Sequence, residues 1–186
     1  MKLALAGAVG LAGISIVMAF AGVSAVRAPV PQGQPIWTEA QWPFPLDQWG
    51  VGKAFVCAPS DCGTRVSVYV RPKIGFCNCA TGVDTDAELD RVSDNDLIGS
   101  AARPRGRGQP IKIGWMAGLS RAYADGDNGL LSVAYNDECD VVVALATFGN
   151  ADASLVEPAV IAFLDSRPMV LWAKKELGLE FVRRDW

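Results

Sequence analysis

The residues in this sequence that are best suited to carry out chemistry are its cysteines. There are five of them: Cys57, Cys62, Cys77, Cys79 and Cys139. The chain contains no histidine. Thiols form disulfides in oxidising compartments, and thiolates are nucleophiles and ligands for soft metals. Without histidine, Ser-His-Asp and Cys-His catalytic groups, imidazole metal sites and c-type haem attachment are all excluded. Any proton transfer must therefore use a carboxylate, lysine, tyrosine or cysteine.

The spacing of the cysteines predicts two disulfides and one unpaired thiol. Cys57 and Cys62 flank the turn-forming sequence Ala-Pro-Ser-Asp between two predicted strands, so a bridge between them is geometrically easy. Cys77 and Cys79 are two residues apart and point to the same face if that segment is extended. Cys139 begins another predicted strand and can bridge either of them, and we favour Cys79.

The cysteines at 77, 79 and 139 also support an alternative chemistry. Three thiolates suit Cu(I) or zinc, and Arg71 and Lys73 would lower a thiol pKa if they lay close to it in space. The spacing matches no iron–sulfur or zinc-ribbon signature. For these three cysteines we expect one structural disulfide, one buried free thiol and no cofactor. The alternative is a thiol-redox or soft-metal site at Cys77, Cys79 and Cys139.

Aromatic and basic side chains supply candidate partner-binding residues. Tryptophans are dense in a proline-containing segment that could line a partner groove, and arginines alternate with Gly and Pro in a predicted loop at residues 99–110. The candidates are Trp37, Trp42, Trp49, Arg103, Arg105 and Arg107. Six acidic residues between positions 84 and 96 are interpreted as a solvated helix face rather than a calcium site.

An apolar run precedes these residues at the N-terminus. Residues 3–26 carry no charge, follow Lys2 and end in small residues, which is typical of a secretory signal and is also long enough to span a bilayer. We expect residues 1–26 to be a signal peptide or membrane anchor, 27–36 a Pro-rich linker and 37–186 a single domain. The protein is then exported, and it is periplasmic or lies at the outer face of the inner membrane, which it contacts through residues 3–26 if they are not cleaved.

The elements that must position these side chains can be read from hydrophobic periodicity. Alternating or continuously apolar segments predict strands, with a strong turn at residues 125–129. The predicted strands cover residues 53–57, 65–71, 74–79, 111–116, 119–124, 130–136 and 139–147. Helices are predicted over residues 84–92, 154–165 and 169–177. This order predicts an α+β fold, with an antiparallel sheet backed by C-terminal helices and preceded by the hydrophobic N-terminal helix.

Three short segments resemble a group of uncharacterised exported bacterial proteins. They are Val-Tyr-Val-Arg-Pro-Lys-Ile-Gly-Phe-Cys-Asn-Cys at residues 68–79, Ile-Gly-Trp-Met at 113–116 and Asn-Asp-Glu-Cys-Asp at 136–140. The resemblance covers about residues 42–175 and implies export without implying an activity. The strand meander followed by a helix is also similar in outline to Mog1/PsbP-like modules, which are often non-catalytic accessory proteins.

Charge narrows the range of functions. The chain of 186 residues has a net charge of −3, which argues against nucleic-acid binding because that requires a basic face. We therefore expect a non-catalytic, extracytoplasmic accessory module of the bacterial envelope that binds a partner protein or a membrane complex.

Overall fold

The computed structural model describes residues 34–98 and 102–179. The predicted signal peptide or anchor at residues 1–26 and most of the linker lie outside these residues, so their assignment stays a prediction. Within the described residues, no helix is long and apolar enough to cross a membrane.

The described residues form one antiparallel sheet of seven strands, which confirms the predicted α+β class. The strands are β1 (Trp37–Ala40), β2 (Lys53–Cys57), β3 (Val66–Lys73), β4 (Arg103–Ile113), β5 (Met116–Asp125), β6 (Asn128–Asp137) and β7 (Asp140–Phe148). Their order across the sheet is β1-β2-β3-β7-β6-β5-β4. Consecutive strands β4 to β7 form a meander, and β7 then pairs with β3 at the centre.

One face of the sheet is covered by the C-terminal helices α3 (Ala153–Leu164) and α4 (Arg167–Glu176). The alternation of β3 aims Val66, Val68 and Val70 into this apolar layer, where they are completely buried. Strand β7 is apolar on both of its faces, as its continuous hydrophobic sequence predicts for a central strand.

The apolar sequence of α3 predicts a core-facing stripe at residues 155, 159, 162 and 163, and this is only partly right. Phe163 packs against the core, but the fully buried residues are Val156, Val160 and Leu164, and Leu155 is 73% exposed. The helix is apolar on most of its circumference, so periodicity could not distinguish the two faces. The sequence pattern predicts Ser154 as the cap of this helix, but Asp152 caps it by accepting the Ser154 N–H.

The opposite face of the sheet is covered by a single short helix, α2 (Asp86–Val92). Thr85 caps it by accepting the Glu88 N–H, and its buried residues Leu89 and Val92 pack with Cys77. A 3₁₀ turn at Asn95–Leu97 follows. The sheet is therefore covered on both faces, and the inserted helix forms a layer of its own.

Two predicted elements differ from the structure. Residues 74–79 are not a strand, because Gly75 adopts a positive φ of 64° and the chain turns directly after Lys73. The predicted loop at residues 99–110 is mostly strand β4. That strand tolerates Pro104 and Pro110 because it lies at the sheet edge, where only one side must donate hydrogen bonds.

Candidate functional site

A cleft of about 730 Å³ opens on the face of the sheet that carries α2. Three parts of the chain form its walls: residues 47–49, the end of β3 with Phe76, and residues 90–96. Because α2 covers only part of its face of the sheet, the end of β3 is left accessible beside it. Strand β3 alternates, so Arg71 and Lys73 point towards this cleft while the valines point towards α3.

The floor of the cleft is built on Arg71, which is only 2% exposed. Its Nε and Nη2 atoms each donate to one carboxylate oxygen of Asp94 at 2.7 Å, in a bidentate pair. Its Nη1 atom lies 2.8 Å from both carboxylate oxygens of Asp47. Charge-assisted bonds of this kind are short and geometrically specific, so they fix the positions of both partners.

Lys73 adds a second buried cation beside the first. Its Nζ atom lies 2.8 Å from Asp94 Oδ1 and donates to the Val92 carbonyl oxygen at 2.6 Å. Lys73 is 4% exposed and Asp94 is 6% exposed, so all three charges are withdrawn from water. We refer to Arg71, Lys73, Asp94 and Asp47 as the charge cluster, and its two cations and two anions balance.

The charge cluster holds the carboxyl group of Asp47 in its ionised form. Partial burial by itself raises its pKa, but hydrogen bonds from Arg71 and from the Trp49 N–H outweigh that effect and lower the pKa below its ordinary value. The pKa of Arg71 is raised because its bonds to Asp94 and Asp47 outweigh the effect of its burial. These groups are set to stay charged, which suits positioning and binding better than proton transfer.

Aromatic rings form one wall of the cleft. Trp49 and Phe76 pack with ring centroids 4.4 Å apart. The Lys73 Nζ atom lies 5.7 Å from the Trp49 ring centroid and 5.2 Å from that of Phe76, and Arg91 lies 4.8 Å from Phe76. Cations at these distances are attracted to the ring faces, so the aromatic wall and the charge cluster support each other.

The predicted tryptophans divide between two places. Trp49 lines the cleft, and Trp42 packs behind it with its ring centroid 5.7 Å from the Arg71 guanidinium. Trp37 instead stacks on Phe163 of α3, on the other face of the sheet, at 4.6 Å. The expected set of partner-binding tryptophans is therefore not a single surface.

The predicted basic residues are not part of the cleft. Arg103, Arg105 and Arg107 are exposed on edge strand β4. Arg105 and Arg107 border a separate depression of about 310 Å³ beside the start of α3, which also contains Asp152 and Glu157. The arginines and Trp49 were predicted as one candidate set, and the structure does not bring them together.

Sequence reasoning missed Asp94 and Asp47, which both line the candidate site. The acidic segment at residues 84–96 was interpreted as solvated, and this was wrong for Asp94, which is buried in the charge cluster. Asp90 accepts hydrogen bonds from Arg121 and from the Tyr123 hydroxyl, and Asp86 accepts the Gly108 N–H. The sequence signal that could have found the site was a pair of basic residues, Arg71 and Lys73, at alternate positions of a strand whose other face carries valines.

The rim of the cleft carries polar side chains that the fold itself does not use. Gln48 and Asp96 line the cleft and are exposed, and within the described residues neither side chain has a hydrogen-bond or ion-pair partner. Asn95, which also lines the cleft, accepts a hydrogen bond from the Ser132 hydroxyl through its side-chain oxygen. The floor is thus internally satisfied, while the rim retains hydrogen-bonding capacity for a ligand.

The cysteines form two disulfides, as the spacing predicted. Cys57 pairs with Cys62 across α1 (Pro59–Cys62), and Cys79 pairs with Cys139. Cys77 is a buried free thiol. Among the described residues, no group of three or more Cys, Asp or Glu side chains is arranged to hold a metal ion. With Cys79 and Cys139 joined, a three-thiolate site would first require that bond to be reduced.

Cys77 is protonated at neutral pH in this environment. Burial raises its pKa from 9.0 to about 11, and the nearby charges of Glu88 and Asp140 act in the same direction. This pKa is therefore not lowered as it would be beside free cations, and Arg71 and Lys73 instead pair with Asp94. The folded state therefore holds the proton more tightly, and this contribution to stability is lost as pH rises from about 9 to about 11.

We expect alkylation of Cys77 in the native protein at pH 7 to be at least 100-fold slower than in the denatured chain, because two pKa units reduce the thiolate about 100-fold and burial blocks access. Labelling with iodoacetamide, followed by peptide mapping, measures both rates. Rapid native labelling that Zn(II) or Cu(I) blocks would contradict this and favour the soft-metal alternative.

The site and fold together define an α+β protein with a cleft built on a buried, balanced charge cluster. No protein-family model matches the chain, and no curated protein matches its sequence. A functional assignment must therefore come from the geometry of the site.

Proposed function

We propose that this protein is a non-catalytic, extracytoplasmic binding module of the bacterial envelope and that the cleft beside α2 receives a segment of a partner protein. One observation carries the proposal: a cleft of about 730 Å³ has a fully paired charge cluster as its floor and an aromatic wall. Preformed concave sites with apolar rings and a few fixed polar groups are the usual form of binding sites.

The state of the charged groups supports binding rather than catalysis. A general acid or base needs a pKa near the working pH and access to the reacting group. In the charge cluster, both cations bond to the carboxylate of Asp94, and the lowered pKa of Asp47 keeps that carboxyl group ionised near neutral pH. The same bonds hold the cleft walls in place before a partner arrives, which reduces the entropy lost on binding.

An oxidising location is supported by the cysteines and the N-terminal sequence together. Two disulfides are present in the described residues, and such bonds persist mainly outside the cytoplasm. The apolar run at residues 3–26 supplies a route of export. We therefore place the binding module in the periplasm or at the outer face of the inner membrane.

The rim indicates the chemistry of the partner segment. Asp96 contributes a carboxylate and Gln48 an amide, while Trp49 and Phe76 offer apolar ring surface. These groups fit a chain segment that presents hydrogen-bond donors beside an apolar side chain. Aromatic residues at the centre of an interface commonly dominate its binding energy.

Site-specific photo-crosslinking tests this proposal in the source bacterium. A photoreactive residue at position 48, on the rim, is expected to give a discrete cross-linked adduct with a partner protein. The matched control places the same residue at position 155, which is exposed on α3 on the opposite face of the sheet.

Trp49→Ala, introduced beside the photoreactive residue at position 48, is expected to reduce the adduct at least tenfold while the protein stays folded, because an aromatic anchor of this kind contributes about 2 kcal/mol or more. Adducts at both positions, or an adduct unaffected by Trp49→Ala, would show that the cleft is not the binding site.

One observation favours the alternative of a thiol-redox function. The backbone N–H of Cys77 donates to the Cys139 carbonyl oxygen at 3.1 Å, which places the free thiol beside the disulfide of Cys79 and Cys139. A soft-metal function at the same three cysteines would in addition need the disulfide opened. The labelling experiment on Cys77 tests the soft-metal alternative, and mapping of the free thiol over time tests the thiol-redox one.

A further inference from the structure

The free thiol and the longer-range disulfide occupy one small region at the end of the sheet. Cys77 bonds through its N–H to the Cys139 carbonyl at 3.1 Å, and its thiol donates to the Glu138 carbonyl at 3.3 Å. This bond puts the backbones of the two residues in direct contact, and Cys77 is only two residues from Cys79, the present partner of Cys139. A disulfide requires Cα atoms within about 7 Å of each other, so a bond between Cys77 and Cys139 would need little movement of the backbone.

We propose that Cys77, Cys79 and Cys139 form a thiol–disulfide exchange site in which Cys77 and Cys79 compete for Cys139. The Cys77 thiol loses its proton, and its Sγ attacks Cys139 Sγ. A new Cys77–Cys139 bond forms while the bond between Cys79 and Cys139 breaks. Cys79 leaves as a thiolate and takes up a proton, so one thiol and one disulfide are present before and after, and no external oxidant or reductant is consumed.

The exchange would change which thiol the protein presents to its surroundings. Cys77 is 7% exposed and packs among Val83, Leu89 and Val141, whereas Cys79 is exposed. In the exchanged form the buried sulfur is bridged and the exposed sulfur is free. Cys79 can then open a disulfide of a second molecule, forming a mixed disulfide and releasing one thiol from that molecule. The site is thus a covalent attachment point for disulfide-bearing partners, independent of the cleft.

The environment of Cys77 sets the rate of this step. Thiolate is the attacking species, and burial together with Glu88 and Asp140 raises the thiol pKa to about 11. The exchange rate should therefore rise about tenfold for each pH unit between pH 7 and pH 10. The Cys79–Cys139 bond is the one present in the structure, and we expect the form with the Cys77–Cys139 bond to appear slowly.

Mapping of the free thiol tests the proposal on the full oxidised chain. Samples held at pH 7, 8 and 9 are quenched with acid, denatured and labelled with a maleimide at mildly acidic pH, and fragmentation spectra assign the label to Cys77 or Cys79. We expect label on Cys77 at first and a pH-dependent growth of label on Cys79. Label confined to Cys77 after long incubation at pH 9 would overturn the proposal.

A set of serine variants provides a second test that does not depend on rate. Cys79→Ser is expected to form the Cys77–Cys139 bond after exposure to oxidised glutathione, leaving no thiol that reacts in denaturant. Cys77→Ser, the matched control, keeps the native bond and also shows none. Cys139→Ser shows two reactive thiols or their glutathione adducts.

The unfolding midpoint of Cys79→Ser should lie close to that of Cys77→Ser, because the bridged loop is only two residues longer than the native separation of 60 residues. Two unbridged sulfurs in Cys79→Ser would show that Cys77 cannot reach Cys139 and would refute the exchange site.

Addition of oxidised glutathione to the wild-type chain at pH 9 is expected to place the mixed disulfide on Cys79.

Discussion

Asp94→Ala is expected to lower the free energy of unfolding by about 3–5 kcal/mol, because it leaves two buried cations with Asp47 as the one remaining anion of the cluster. Arg71 and Lys73 are 2% and 4% exposed, so their charges are largely shielded from water in the folded protein. Asp47 remains bonded to Arg71 Nη1, but Lys73 loses its ion pair and keeps the Val92 carbonyl and the aromatic rings. Urea unfolding of the purified domain measures the effect.

The control for this change is Asp96→Ala, two residues further along the chain. Asp96 is exposed, and within the described residues it has no ion-pair or hydrogen-bond partner, so its removal should cost less than about 0.5 kcal/mol. Equal effects of the two substitutions would mean that the charge cluster does not contribute to stability in solution.

A double-mutant cycle sharpens the test of the charge cluster. Lys73→Met should destabilise the wild-type protein, but it should cost less in the Asp94→Ala background, because there it removes a cation that is already uncompensated. The coupling between the two sites is expected at about 1–3 kcal/mol. Additive effects would indicate that Lys73 is stabilised by the aromatic rings and the Val92 carbonyl rather than by Asp94.

Cys139→Ala is expected to cost about 4 kcal/mol, and the double variant Cys57→Ala/Cys62→Ala only about 2 kcal/mol, according to the loop-entropy relation for disulfides. The sequence separation is 60 residues for the Cys79–Cys139 bond and 5 for the Cys57–Cys62 bond. A longer loop restricts the unfolded chain more, so its closure contributes more stability. Urea unfolding under oxidising conditions measures both losses.

Reduction supplies the internal control for the disulfide comparison. In the presence of a strong reductant, the wild-type protein and Cys139→Ala should have nearly the same unfolding midpoint, because the entropic contribution has been removed from both. Cys77→Ala keeps both disulfides and should lose no more than a small buried-side-chain effect of about 1 kcal/mol. A larger loss from the Cys57→Ala/Cys62→Ala variant than from Cys139→Ala would contradict the loop-length argument.

The amino-acid sequence by itself determined the features that depend on neighbours in the chain. The Cys57–Cys62 bond follows from the short turn between the two cysteines, and the turn at residues 125–129 joins β5 to β6 as its Gly and Asp content predicts. The valines of β3 alternate into the core as their spacing requires. The choice of Cys79 over Cys77 for Cys139 also agreed with the structure, although the two residues differ by only two positions.

The charge cluster was decided only by the tertiary structure. An acidic segment such as residues 84–96 has the same composition whether it is solvated or buried, and the partner of Asp94 lies 23 residues earlier, on a different element. Two basic residues on β3 could become buried because the end of α2 and the segment at residues 47–49 bring carboxylates and aromatic rings to them. The same dependence on distant contacts explains why the buried face of α3 and the edge position of β4 were missed, since each is fixed by where the chain packs rather than by its local pattern.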